Sequence, residues 1–176
     1  MKSILISINP QHAVNILNGS KTLELRKSVP KDFVGWVYMY VTKGKPYYPD
    51  CSYHGVGNIN GKVVARWWFD GYIKLEHYID IYDYCFGSMQ LKNMLTFVNN
   101  LKLNYDDILE YGNSKDLYAW HIKKLKIFDS PKELHHFYTY KERLIDCGMD
   151  CQPYVDEVKT TLTKAPQSWQ YVWVKE

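Results

Sequence analysis

The apolar positions of the chain switch between two periods, and the switches mark its elements. Residues 3–8 alternate as a strand, the period-two pattern of a pleated element. Asn9 is placed to cap a helix and Pro10 to start it, and the run to Asn18 offers Ala13, Val14 and Leu17 as its buried stripe. Gly19 suits the position just after a helix, where left-handed backbone is open to glycine. Residues 22–27 then read as a second strand, with Leu23 and Leu25 on one face and Thr22, Glu24 and Arg26 on the other. Residues 35–42 and 61–70 predict two more strands, the latter carrying Val63, Ala65, Trp67 and Phe69 on one face. Residues 71–75 continue it past a kink. Between these strands the segment 43–60, with Gly44, Pro46, Pro49, Gly55 and Gly57, reads as an exposed and mobile loop.

The second half starts with helical spacing. Ser88 is placed to cap a helix bearing Leu91, Met94, Leu95 and Val98, and Asn104 with Asp107 marks another helix start, closed by Gly112. Residues 117–128 predict a long strand whose parity slips at Lys123-Lys124, the mark of a bulge. Ser130-Pro131-Lys132-Glu133 has the form of a capping box opening a short helix. Residues 138–164 have weak periodicity and read as a variable excursion, and residues 168–174 close the sheet. Strands outnumber helices at irregular spacing, which makes the fold class α+β, with no repeat, low-complexity tract or linker to divide residues 1–176 into more than one domain.

Composition narrows the classes. A chain of 176 residues with 46% hydrophobic side chains can fill one core, and a net charge of +3 is compatible with nucleic acid without requiring it. Sixteen tyrosines and six tryptophans give ample surface for packing or for stacking on bases. No apolar run reaches the roughly 20 residues of a membrane span, and the first eight residues are too short for a signal peptide, so the expectation is a cytoplasmic protein that does not engage membrane. Cys51, Cys85, Cys147 and Cys151 form no tight framework. Cys51-x-x-His54, and Cys147-x-x-x-Cys151 with His135 and His136, each supply only part of a tetrahedral set, so neither a metal nor a cofactor is expected.

The chemistry concentrates in Gly19-Ser20-Lys21-Thr22-Leu23-Glu24-Leu25-Arg26-Lys27. Side chains two apart on one strand face stand about 6.5–7 Å from each other. Glu24 and Arg26, with Lys21 beside them, can therefore present donors and acceptors to one polar ligand, or simply form a solvated ion pair. Lys21, if buried, would have a lowered pKa and could act as a base; if exposed, it is a phosphate contact.

The pattern Gly19-x-Lys21-x-x-Glu24-x-Arg26 resembles the signature of the ASCH domain, a relative of the PUA RNA-binding fold. Ser7-Ile8-Asn9-Pro10 at one end and Ala165-Pro166-Gln167-Ser168-Trp169-Gln170-Tyr171-Val172 at the other are similar in order and spacing to small bacterial and phage ASCH proteins. Segments 40–43, 61–64 and 117–122 look like that family's middle strands. The resemblance implies a PUA-like small mixed β-barrel with flanking helices and a cleft where the second strand leaves the first helix. It further implies a module that binds single-stranded RNA or a modified nucleoside. Lys21, Glu24 and Arg26 would grip the ligand. Tyr40, Trp120 and Trp169 would stack on it, and Thr42, Lys43, Gln167 and Ser168 would add polar contacts. Lys43, Lys45, Lys123, Lys124 and Lys126 could form a diffuse positive surface or an ordinary solvated face.

Some ASCH proteins are hydrolases, acetylcytidine amidohydrolases or ribonucleases, so Lys21, Glu24 and Arg26 are also the catalytic candidates. The amidohydrolases place a threonine where this chain has Glu24, and a carboxylate does not replace a hydroxyl nucleophile. Ribonuclease chemistry fits the three residues better than amide hydrolysis does. A third reading is an accessory protein acting through protein contacts of segments 43–60 and 138–164.

Overall fold

Two sheets meet along the chain's middle strands. The computed structural model describes residues 1–43, 59–78, 83–85, 91–145 and 154–174. The larger sheet contains β1 (Lys2–Ile8), β3 (Gly35–Val41), β4 (Val63–Phe69), β8 (Lys123–Lys132), β9 (Phe137–Ile145), β10 (Tyr154–Thr161) and β11 (Trp169–Val174), in the order β10-β9-β11-β1-β3-β4-β8. The smaller contains β2 (Leu23–Arg26), β5 (Tyr72–Tyr78), β6 (Asp83–Cys85) and β7 (Leu117–His121), in the order β2-β7-β5-β6. β1 and β3 pair in parallel, and α1 (Pro10–Leu17) and β2 lie in the crossover between them. Two more helices, α2 (Leu91–Leu101) and α3 (Tyr105–Gly112), pack on the smaller sheet. Among the described residues the ladders form two open sheets and do not close into a barrel. Among them, too, no helix is long and apolar enough to cross a membrane.

The chain changes sheet at two corners that are bonded to each other. One is Asp70-Gly71, between β4 and β5, and the other is Ile122, between β7 and β8; the His121 amide donates to the Gly71 carbonyl at 3.0 Å. The parity slip expected at Lys123-Lys124 is this second corner, with Lys124 at a φ of 48° and the β4–β8 register shifting beside it. The continuation of the fourth strand past its kink is β5, in the other sheet.

Most of the apolar alternation is realised as read. Val63, Ala65, Trp67 and Phe69 are all buried, and Leu23 and Leu25 face Phe97, Leu101 and Ile108 of the two helices. Asn9 caps α1 by accepting from the Gln11 amide, and Gly19 follows the helix at a φ of 75°. Asn104 and Asp107 form a reciprocal capping box at the start of α3.

Elsewhere tertiary packing overrides local signals. On α1 the buried stripe uses Ile16 in place of Val14, because Pro10, Ala13, Ile16 and Leu17 face the sheet. On α2, Val98 packs on the core as expected, but Leu95 is 62% exposed and Phe97 and Leu101 supply the buried contacts, the side chains of Leu91 and Met94 lying outside the described residues. The left-handed residue ending α3 is Asn113, and Gly112 is its last helical residue. Residues 130–132 do not open a helix: β8 runs through Lys132, which pairs with Val63, and Glu133 pairs with Lys62. Only a short 3-10 turn, Leu134–His136, follows. Segment 138–164 contains the antiparallel pair β9–β10. Its described side chains are exposed or half-buried, so it has no buried face to impose an alternation that could be read. The body of the 43–60 loop, Lys45, Cys51, His54, the Ser88 cap, Cys147 and Cys151 lie outside the described residues.

Candidate functional site

β2 is the edge strand of the smaller sheet, and both of its faces are covered. Leu23 and Leu25 take one face into the helical core. The other face carries Glu24 and Arg26 into a cleft of about 700 Å³ bounded by the end of β1, α1 and the α2–α3 connection. Lys21, Glu24 and Arg26 are 2%, 5% and 8% exposed, so the expected polar face of the strand is a buried one. The three side chains form one chain of charges. Lys21 Nζ lies 3.4 Å from Glu24 Oε2, and Arg26 Nη2 lies 3.0 Å from Glu24 Oε1.

Each cation is also anchored to the backbone. Lys21 Nζ donates to the Leu101 carbonyl at 2.5 Å, at the end of α2. Arg26 Nη2 donates to the Ser7 carbonyl at 2.6 Å, and Nη1 stands 3.5 Å from Ser168 Oγ. Ser7 in turn donates from its hydroxyl to the Pro166 carbonyl at 2.6 Å and from its amide to the Ser168 carbonyl at 2.9 Å. The two ends of the chain, Ser7-Ile8-Asn9-Pro10 and the Pro166–Ser168 segment, thus meet at the Arg26 guanidinium.

His12 joins this cleft from α1. Burial lowers its pKa, against the opposing pull of Glu24, so the imidazole is neutral at neutral pH. Burial also lowers the Lys21 pKa, with Glu24 opposing. Tyr111 lies on the α3 side, with Lys27 Nζ 5.2 Å from its ring centroid; burial raises the pKa of its hydroxyl, and Arg26 works against that rise. Lys102, Asp107 and Glu110 complete a rim of mixed charge. On the residues lining this cleft, three buried polar atoms have no hydrogen-bond partner: His12 Nδ1, Arg26 Nε and Glu24 Oε2, the last held by the longer Lys21 ion pair. Leaving such buried groups without hydrogen-bond partners is costly, and all three belong to residues that line the cleft.

The other expected ligand residues are dispersed. Trp120 stands opposite Glu24 in the β2–β7 register, but it is fully buried, its indole donating to the Ser28 carbonyl at 3.2 Å; its ring belongs to the core behind the site. Trp169 packs edge-on against Trp120 and donates to Ser28 Oγ at 3.0 Å. Ser168 reaches the site through Arg26, and Gln167 is exposed beside it. Tyr40 and Lys43 line a separate hollow with Glu133 and Lys164, and Thr42 is half-buried at the end of β3. Thr22 borders another depression with Leu23 and His121, away from the charge cluster.

The sequence reading missed His12, Tyr111, Asp107 and Glu110. His12 flanks the apolar stripe of its helix, a position that signals partial burial once the helix is placed. The α3 residues carry no local signal, since only the packing of α3 brings them to β2. Among the described residues no cluster of His, Cys, Asp and Glu could hold a metal ion.

Comparison with known proteins supplies structural likeness only. No family model matches the chain, and no curated sequence relative is found. The structure is similar to that of an ASCH protein from Zymomonas mobilis, with a TM-score of 0.48 at 15% identity over 96% of this chain and 86% of that one. A serine-to-alanine variant of the same protein aligns with a TM-score of 0.48 at 15% identity, over 75% of this chain and 74% of that one. A tyrosine-to-phenylalanine variant aligns with a TM-score of 0.47 at 14% identity, over 97% and 90%.

Proposed function

We propose that the cleft beneath α1 binds a nucleoside or mononucleotide, and that residues 1–176 act as one ASCH-type binding module with a barrel-like PUA arrangement of its two sheets. The observation carrying this reading is the buried Lys21–Glu24–Arg26 chain, which with His12 lines a cavity of about 700 Å³ and leaves His12 Nδ1 and Arg26 Nε without hydrogen-bond partners. That volume suits a small organic ligand. Glu24 Oε2 would accept from an exocyclic amine or ring N–H, Arg26 Nε would donate to a carbonyl or ring nitrogen, and neutral His12 can do either. Tyr111 offers the aromatic surface on which a base would lie. The mixed rim of Lys27, Lys102, Asp107 and Glu110 favours a single nucleotide over a long phosphate track, which would need one sign of charge.

Hydrolysis of RNA or of a modified nucleoside at the same residues is the second reading, favoured by the lowered pKa of Lys21. Against it, the Lys21 amine is engaged by both the Leu101 carbonyl and Glu24, and would have to leave both to take a proton from substrate.

Calorimetric titration with a panel of plain and modified nucleosides and nucleotides tests the proposal. At least one should bind, with affinity falling tenfold or more in Tyr111→Ala, which removes the rim aromatic surface together with its contact to Arg26, and in Glu24→Gln. A panel without a binder, or binding unaltered in both variants, overturns it. Acetylcytidine and RNA cleavage assays on the same samples check the second reading; acetylcytidine turnover should be absent.

A further inference from the structure

A second surface, remote from the cleft, stands on the outer face of β3, β4 and β8. Trp36 and Trp68 face each other in the β3–β4 register with ring centroids 5.3 Å apart at 85°. Arg66 lies in the next row, between Tyr38 on β3 and Lys126 on β8. Its guanidinium carbon sits 4.3 Å from the Trp36 ring centroid, and its Nη1 donates to the Tyr38 hydroxyl at 3.1 Å. Lys126 Nζ approaches the same Trp36 ring at 5.7 Å, and Lys124 Nζ approaches Trp68 at 5.9 Å. Beside them is a hollow of about 430 Å³ lined by Arg66, Lys126, Phe128, Asp129 and Lys132, among others, with Lys132 Nζ 5.5 Å from the Phe128 ring.

We infer that this face of β3–β4–β8 binds single-stranded nucleic acid through the Arg66, Lys124 and Lys126 cations and the Trp36 and Trp68 rings.

Three cations converge on two rings here, more than cation–π pairing of the rings requires. Asp129 lines the same hollow but forms no ion pair with these cations among the described residues, while the Asp70 carboxylate is taken up by Lys123 at 2.6 Å and His121 at 3.0 Å. A chain of phosphates relieves the mutual repulsion of the three cations, and half-buried indoles on a sheet face give unpaired bases a surface to stack on. Arg66 Nε is buried without a partner, a donor available to a phosphate or base edge after a small side-chain shift. A duplex would offer the charge but not the unstacked bases, so the combination selects a single strand. The inference does not rest on the cleft reading, because none of these residues lines the cleft.

The test is fluorescence anisotropy with labelled oligouridylate and its DNA counterpart, at low and physiological salt, on the parent and on Lys124→Gln/Lys126→Gln. The parent should bind either strand, with tryptophan quenching. The double variant should bind at least tenfold more weakly, and its slope of log affinity against log salt should be shallower by about 1.4, for two contacts at roughly 0.7 each. Nucleoside titration at the cleft should be unchanged in this variant, whereas Tyr111→Ala should affect only the cleft. Absent oligonucleotide binding, an unaltered salt slope, or equal displacement by duplex or by polyglutamate each overturns the inference.

Discussion

Two carboxylates in this protein each stand between two basic side chains, and their surroundings make them different objects. Glu24 lies between Lys21 and Arg26 with all three residues almost fully buried. Asp70 lies between Lys123 and His121 at the corner joining the sheets, with its side chain 31% exposed. At Asp70 the neighbours hold the carboxyl below its usual pKa, Lys123 first, and water screens the rest. Such a cluster is worth about 0–1 kcal/mol. At Glu24 the charges have left water, and only their mutual attraction and the anchors to Leu101 and Ser7 offset that cost. A fold in need of stability alone would fill the same space with apolar side chains. The same arrangement, a carboxylate between two bases, is thus a solvated surface cluster at Asp70 and a desolvated one lining a cleft at Glu24.

The largest expected effect comes from breaking the buried cluster at its centre. Glu24→Ala leaves two buried cations facing each other and should lower stability by about 3–5 kcal/mol, measured by urea unfolding. A loss no greater than that of a surface change would mean that the cluster is hydrated in solution.

Replacing all three ions sharpens the point. Lys21→Met/Glu24→Leu/Arg26→Met removes the desolvation cost, a gain of about 1–4 kcal/mol. It also strips donors from the Leu101 and Ser7 carbonyls, at roughly 1–3 kcal/mol each. The terms nearly offset, so the triple variant should unfold within about 2 kcal/mol of the parent while losing ligand binding completely. Retained binding would show that the ions serve the fold.

Titration separates the regions further. The folded pKa of His12 lies below its unfolded value, so its contribution to stability is fully present above the unfolded pKa, at about 6.5, and is lost as pH falls through the folded one. Melting temperature should therefore decline below that pH in the parent and decline less in His12→Asn. Parallel curves would place the acid sensitivity elsewhere. The smallest effect is expected at the exposed carboxylate: Asp70→Ala should cost no more than about 1 kcal/mol, diminishing as salt is added, in the same urea assay.

Leu23, Leu25, Val63, Ala65, Trp67 and Phe69 were legible as core because period-two alternation survives wherever a strand has one apolar face. The same rule marked Glu24 and Arg26 as sharing a face. It could not tell whether that face met water, since polar side chains on a solvated surface and on a cleft wall have the same spacing. The antiparallel pair β9–β10 was illegible for the converse reason: beyond Phe137 its described side chains are exposed or half-buried, so no buried face imposes a pattern.

Local chemistry in the sequence therefore determined the strands with a buried face, the α1 and α3 caps, the left-handed turn at Gly19 and the grouping of Lys21, Glu24 and Arg26. Tertiary structure alone decided that α1 and α3 would cover that group and that Ser7 and Ser168 would meet at Arg26. It also drew Trp120 into the core and brought Trp36, Arg66 and Lys126 together across three strands. The physical reason is range. Caps and alternation act over a few residues of backbone, whereas burial of a charge depends on which distant elements exclude water from it.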